Sequence, residues 1–134
     1  MLLVDTNIWL IAADRRSDRH DEITALLAGH DWASPTPVIA ETAWLILDRL
    51  GTSPHQRFLR LITAGQLEPI ELTDTDWRRC VELVDTYADL RLDLADASLV
   101  AVAERLAQTT IATLNHRDFR VVRPAHCDAF ELVP

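Results

Sequence analysis

The chain opens with Met1-Leu2-Leu3-Val4-Asp5-Thr6-Asn7, in which an apolar run meets a carboxylate, a hydroxyl and an amide. A short unbroken apolar run predicts a strand buried on both faces, as in the middle of a parallel sheet. Asp5 would then lie where this strand ends and the next helix begins, at the edge where open α/β folds bind ligands. A carboxylate at that point either caps the following helix or binds a cation, and we expect Asp5 to anchor a metal site.

The composition is that of one soluble domain with a substantial core, and we expect residues 1–134 to form it. The formal charge of −8 disfavours broad electrostatic binding to nucleic acid, although it allows a nuclease whose carboxylates bind divalent cations. All 13 basic residues are arginine. The absence of lysine excludes mechanisms that need a phosphate-binding or Schiff-base lysine, including the P-loop.

Nothing in the sequence indicates a membrane segment or export. No apolar run is long enough to cross a bilayer, and no basic segment precedes the first apolar run. Cys80 and Cys127 are far apart and form no CxxC motif, so free thiols in a reducing compartment are favoured over a disulfide. We therefore expect a cytoplasmic protein.

Predicted strands alternate with predicted helices along the chain. Thr36 is a candidate N-cap with Pro37 at the first helical position, and Asp93 is a candidate N-cap for a helix that begins at Leu94. Residues 115–119 read as a loop. The strands predicted after the first are Trp32–Ser34, Leu67–Leu72, Thr109–Leu114, Val121–Val122 and Phe130–Val133. This alternation predicts an α/β fold, with a central parallel sheet flanked by helices.

Two later carboxylates lie on helix faces that are otherwise apolar. Glu41 shares a face with Val38 and Leu45, and Asp96 shares one with Leu99 and other apolar residues. A lone carboxylate in such surroundings is costly unless it is paired or bound to a metal. The alternatives are a Glu41 that reaches solvent or pairs with arginine, and an Asp96 that simply favours the positive end of its helix.

A further pair of polar residues follows the second central strand. Asn115 comes directly after Leu114, and Asp118 follows three residues later. Both residue types also favour turns, so Asp118 could merely cap the segment at Phe119. Together with Asp5 and the two helical carboxylates, however, they form a set of hard oxygen ligands suited to Mg²⁺ or Mn²⁺ and not to zinc.

Four segments of the chain, in this order, resemble the motifs of PIN domains, in particular the toxins of VapBC-type toxin–antitoxin pairs. They are Leu3-Val4-Asp5-Thr6-Asn7, Glu41-Thr42-Ala43, Asp93-Leu94-Ala95-Asp96-Ala97 and Thr113-Leu114-Asn115-His116-Arg117-Asp118-Phe119. The resemblance covers essentially the whole chain. It implies a PIN-like three-layer fold and a Mg²⁺- or Mn²⁺-dependent endoribonuclease that hydrolyses RNA phosphodiester bonds.

The resemblance also assigns roles. Asp5, Glu41 and Asp96 correspond to the first three acidic residues, whereas Asn115 stands where the family often has an aspartate. We expect Asp118 to supply the fourth acidic function through a metal-bound water that Asn115 positions. The expected supporting residues are Thr6, Asn7, Asp93, Thr113 and Asn115.

The resemblance further implies an antitoxin that inhibits the protein and a homodimer. The candidate apolar surface for these contacts comprises Trp44, Leu45, Phe58 and Leu59. Two other functions stay open. One is a PIN-like RNA- or protein-binding module with weak or lost catalysis, and the other is a phosphotransfer enzyme with Asp5 as nucleophile, which usually needs a lysine. The arginines at 15, 16 and 19, and at 117, 120 and 123, are either solvated or contact phosphates.

Overall fold

Five parallel strands form one sheet in the computed structural model, which describes residues 1–134. Their order across the sheet is β3-β2-β1-β4-β5, so the first strand of the chain lies in the middle. The bounds are β1 Leu2–Val4, β2 Trp32–Pro35, β3 Leu67–Ile70, β4 Thr110–Ala112 and β5 Glu131–Val133. The predicted parallel sheet and the central position of β1 are confirmed.

Seven α-helices connect and cover the strands, and a 3-10 turn at Ala88–Leu90 follows the fifth. None of them is both long and apolar enough to cross a lipid bilayer. The bounds are α1 Thr6–Ala13, α2 His20–Leu27, α3 Thr36–Leu50, α4 Thr52–Thr63, α5 Asp74–Thr86, α6 Leu94–Arg105 and α7 His116–Val121.

The sheet separates two apolar cores. Side chains of a strand alternate between its faces, and in β1 Leu3 packs into one core while Leu2 and Val4 pack into the other. The first core is built mainly with α5 and α6, and the second with α1, α2, α3 and α4. This is the three-layer arrangement that the sequence predicts, and it explains why β1 is completely buried.

The strand order reverses at β1, which pairs with β2 on one side and with β4 on the other. In open α/β sheets a crevice forms at such a reversal, beyond the carboxyl ends of the strands. Asp5 and Thr113 are the residues that directly follow β1 and β4. The fold therefore brings them together at the position where a ligand site is expected.

Three local predictions are wrong. Thr36 is not an N-cap, because β2 runs directly into α3 and Pro35 occupies the cap position without a side-chain hydrogen bond. The segment 115–119 is not a loop, and Val121–Val122 is not a strand. Residues 116–121 form the short helix α7, whose N-terminus the Asn115 side chain caps.

Candidate metal centre

Asp5 is fixed by donors from two elements of the fold. It is the N-cap of α1, and its Oδ1 accepts a hydrogen bond of 2.7 Å from the backbone N–H of Thr6. Its Oδ2 accepts one of 2.7 Å from the Thr113 hydroxyl at the end of β4. Asp5 is only 4% exposed. Asp5 therefore caps α1 and is also held in place by hydrogen bonds in a buried position. Its geometry is compatible with both roles anticipated for it, the helix cap and the metal ligand.

Glu41 reaches the same edge of the sheet from α3. The hydroxyl of Thr6 donates to Glu41 Oε2 at 2.8 Å, which links residues 35 positions apart in sequence. This is the only hydrogen bond of the Glu41 side chain, and no arginine pairs with it. The alternative of an arginine-paired glutamate is therefore excluded by the structure.

Asp96 lies in the first turn of α6, behind the cap residue Asp93. The Asp93 side chain accepts a hydrogen bond of 2.9 Å from the Asp96 backbone N–H, as the sequence predicts for an N-cap. The carboxylate of Asp96 is only partly exposed, and no side-chain donor is bonded to it. The Asp96 carboxylate is therefore partly buried, and no positively charged side chain offsets its negative charge.

Asp118 and Asn115 are bonded to each other at the start of α7. Asn115 Oδ1 accepts from the Asp118 backbone N–H at 3.4 Å, and Asn115 Nδ2 donates to Asp118 Oδ2 at 3.1 Å. The backbone N–H of Asn115 donates to the Thr113 hydroxyl at 3.0 Å. The amide of Asn115 is thus directed at Asp118, and the same Thr113 connects this pair to Asp5.

The electrostatics show that these carboxylates crowd one another. Burial raises the pKa of Asp5, partly offset by its bonds to Thr113 and Thr6, and the charges of Glu41 and Asp93 raise it further. Burial together with the charges of Asp93, Asp5, Asp118 and Glu41 raises the pKa of Asp96 to about 8. Five acidic residues, Asp5, Glu41, Asp93, Asp96 and Asp118, therefore form one interacting acidic cluster.

Arginine neutralises almost none of this cluster. The chain's ion pairs lie elsewhere, for example Arg79 with Glu104 and Arg105 with Asp76 between α5 and α6. The single exception is Arg117, whose Nε lies 3.7 Å from Asp118 Oδ1 and whose side chain is 86% exposed. A group of carboxylates that is partly buried and lacks positive partners is destabilising by itself, and a bound cation would relieve the repulsion.

The donor set fits a hard divalent cation in its chemistry. Every candidate ligand is a carboxylate oxygen, with hydroxyl and amide oxygens beside them, as Mg²⁺ and Mn²⁺ prefer. No three histidine, cysteine or acidic side chains already converge in metal-ligand geometry. The side chains would therefore have to reorient to coordinate an ion, and those without buried hydrogen bonds, such as Asp96, can do so most easily.

The structure places two residues, Asn7 and Phe58, differently from the sequence-based expectation. Asn7 is exposed on α1, and its side chain makes no hydrogen bond to the cluster. Phe58, predicted on an apolar contact surface, is 4% exposed and packs edge-on against Trp9 with ring centroids 5.6 Å apart. Phe58 is thus a core residue, because α4 turns it inward against α1.

One residue that supports the site was missed by sequence reasoning. Ser34 in β2 is fully buried, donates to the Val4 carbonyl at 2.6 Å and accepts from Trp9 Nε1 at 2.9 Å. It therefore fixes the backbone immediately before Asp5. The available signal was a hydroxyl in the middle of a short strand, where a buried polar group needs partners.

Comparison with known proteins agrees with this architecture. The family model described as PIN domain matches residues 2–123. Ribonuclease VapC26 of Mycobacterium tuberculosis is 27% identical over 135 residues, which cover 99% of this chain and all of that protein.

Two solved structures share the fold. The crystal structure of Mycobacterium tuberculosis VapC20, a Sarcin-Ricin loop cleaving toxin, aligns with a TM-score of 0.76 at 18% identity, over 83% of this chain and 87% of that chain. A toxin–antitoxin complex from Klebsiella pneumoniae aligns with a TM-score of 0.67 at 22% identity, over 100% and 97% of the respective chains. Because the PIN-domain model matches residues 2–123, the chain belongs to the PIN-domain family.

Proposed function

We propose that this protein is a divalent-metal-dependent endoribonuclease that acts as the toxin of a toxin–antitoxin pair, with residues 1–134 as a single nuclease domain in the cytoplasm. The observation that carries the proposal is the acidic cluster, in which buried Asp5 and partly buried carboxylates interact at the sheet edge almost without arginine partners. Membership of the PIN family and the similarity to Ribonuclease VapC26 support nuclease activity.

Asp5, Glu41 and Asp96 are the proposed direct ligands of Mg²⁺ or Mn²⁺, and Asp118 would act at the site through a water molecule. When bound, the ion would activate a water molecule and stabilise charge on the phosphodiester in the transition state. The chain's part is to hold the carboxylates: Thr113 orients Asp5, and Asn115 orients Asp118. Asn115 would therefore position Asp118, and Asp118 would in turn position the water.

The RNA would reach this edge beside α7. Arg117 and Arg120 are exposed on that helix, which starts at Asn115 next to the acidic cluster. Arginine side chains at such a position bind phosphate without reading sequence. Because the chain is acidic overall, we expect this local contact, and not the net charge, to attract the substrate.

The nuclease proposal is tested by incubating the purified protein with RNA and Mn²⁺, with EDTA and with the Asp96→Asn variant in parallel. Asp48→Asn, an exposed carboxylate of α3, is the matched control. We expect cleavage by the wild type and the control only, and only with metal. A binding module would retain RNA affinity without cleavage, and cleavage that persists in EDTA or in Asp96→Asn would contradict the metal mechanism.

We further propose a homodimer that an antitoxin inhibits. Trp44 and Leu47 of α3 and Leu59 of α4 are 64%, 44% and 39% exposed, an apolar surface that suits contact with a second copy. An open apolar cavity of about 490 Å³ lies between α1, α2 and α4 and offers a separate place for the antitoxin. An arginine of that partner would enter the acidic cluster and compete with the metal.

These partner proposals are tested with two variants. Trp44→Glu should convert a dimer to a monomer in light scattering at micromolar concentration while RNA cleavage persists. Ala13→Trp, which fills the cavity, should weaken antitoxin binding without changing the oligomer. A wild-type monomer would contradict the dimer, and an antitoxin that binds without lowering cleavage would contradict the inhibition.

A further inference from the structure

Thr6 contacts two carboxylates of the cluster through two different groups. Its backbone N–H donates to Asp5 Oδ1 at 2.7 Å, and its hydroxyl donates to Glu41 Oε2 at 2.8 Å. Thr6 is the first residue of α1 and is 5% exposed. Hydrogen bonds to ionised carboxylates are about twice as strong as neutral ones, and more so where water is excluded.

Glu41 depends on this contact more than the other carboxylates do. Asp5 has a second donor in Thr113, whereas Glu41 has no other hydrogen bond and no ion pair. Glu41 also has the longest side chain among the clustered acids, so it loses the most rotamer freedom when it is fixed. Without the Thr6 hydroxyl, no hydrogen bond or ion pair would select one orientation of its carboxylate.

A nearby threonine shows that the contact depends on placement and not on residue type. Thr42 follows Glu41 on α3 and is fully buried, yet its hydroxyl has no hydrogen-bond partner. It therefore provides a matched control of the same chemistry in the same region. Replacing either threonine by valine removes a hydroxyl at nearly constant shape and leaves the backbone N–H unchanged.

We propose that Thr6 is a positioning residue that fixes the Glu41 carboxylate relative to Asp5, so that both present oxygen atoms to the same metal ion. This inference rests on the proposed metal-dependent function. Residues that orient metal ligands through hydrogen bonds typically change metal affinity by 10–100-fold when they are removed. Thr6 would act on the metal only through the two carboxylates it holds.

The test compares Thr6→Val, Thr6→Ser and Thr42→Val with the wild type in calorimetric titration with Mn²⁺, under conditions where circular dichroism shows all four folded. We expect Thr6→Val to bind Mn²⁺ roughly tenfold more weakly, and Thr6→Ser and Thr42→Val to bind within about twofold of the wild type. Equal Mn²⁺ affinity of Thr6→Val and the wild type would overturn the proposal, as would a Thr6→Ser variant as weak as Thr6→Val.

A second readout needs neither metal nor RNA. Crystal structures of the metal-free wild type and Thr6→Val should show one orientation of the Glu41 carboxylate in the former and several in the latter. A single, unchanged orientation in Thr6→Val would overturn the positioning role. If the orientations change as expected but the wild type binds no Mn²⁺, the proposed metal-dependent function fails and the contact between Thr6 and Glu41 stands.

Discussion

Replacing Asp96 by asparagine should stabilise the metal-free protein while it abolishes RNA cleavage. The pKa of Asp96 is raised to about 8 by burial and by the charges of neighbouring carboxylates. A raised pKa in the folded state means that the fold is destabilised at any pH where the unfolded chain would ionise this group. An asparagine has nearly the same shape and never carries that charge.

The magnitude follows from the linkage between pKa and stability. At pH 7 the unfolded chain ionises this aspartate freely, with a pKa of about 4, whereas the folded state is penalised by roughly three pKa units at about 1.4 kcal/mol each, or about 4 kcal/mol. Asp96 is partly exposed, so water screens part of this, and we take about 2 kcal/mol as the expected gain. In a domain of this size that corresponds to a rise in Tm of roughly 7 °C.

The assay is thermal unfolding of the wild type, Asp96→Asn and the Asp48→Asn control in EDTA across a range of pH. The stabilising difference should be absent below about pH 4, where both states of the wild type are protonated, and should grow as the pH rises towards 8. Saturating Mn²⁺ should reverse the order, because only the wild type gains from binding. A gain equal to that of Asp48→Asn, or independent of pH, would refute the reasoning.

Three further predictions concern single contacts. Asp118→Asn should lower the rate of RNA cleavage more than Asn115→Ala does, and Asn115→Asp should tighten Mn²⁺ binding. If Asp118→Asn cleaves RNA at the wild-type rate, Asp118 has only a structural role. Thr42→Val should raise the free energy of unfolding by about 1 kcal/mol in urea denaturation, because a buried hydroxyl without a partner is removed. Glu104→Gln should lower the free energy of unfolding by about 2 kcal/mol, because Glu104 accepts hydrogen bonds from Arg79 and from the backbone of Ala125. An unchanged free energy of unfolding would show that those bonds contribute little.

The parts of the fold that were predictable are those in which one segment of sequence determines its own environment. The apolar run before Asp5 has to be buried on both faces, and only an interior strand of a parallel sheet provides that. The end of such a strand also determines where its polar residues lie, so the proximity of Asp5 to Thr113 follows from the two strand ends.

The errors arose where an element is too short to show a periodicity, or where distant segments decide the outcome. The helix α7 is only six residues long and has no periodicity to detect, and it depends on the bonds between Asn115 and Asp118. The burial of Phe58 depends on its packing against Trp9, nearly 50 residues earlier in the chain. The contact between Thr6 and Glu41 likewise requires the start of α1 and α3 to meet, which no local pattern specifies.

The central claim is that the acidic cluster binds a divalent metal ion, and anomalous diffraction from crystals soaked in Mn²⁺ tests it most directly. We predict one or two anomalous peaks bounded by carboxylate oxygens of Asp5, Glu41 and Asp96, and no peak in crystals of Asp96→Asn soaked in the same way. A wild-type crystal without a peak at this edge of the sheet, or with manganese bound only elsewhere, would contradict the account.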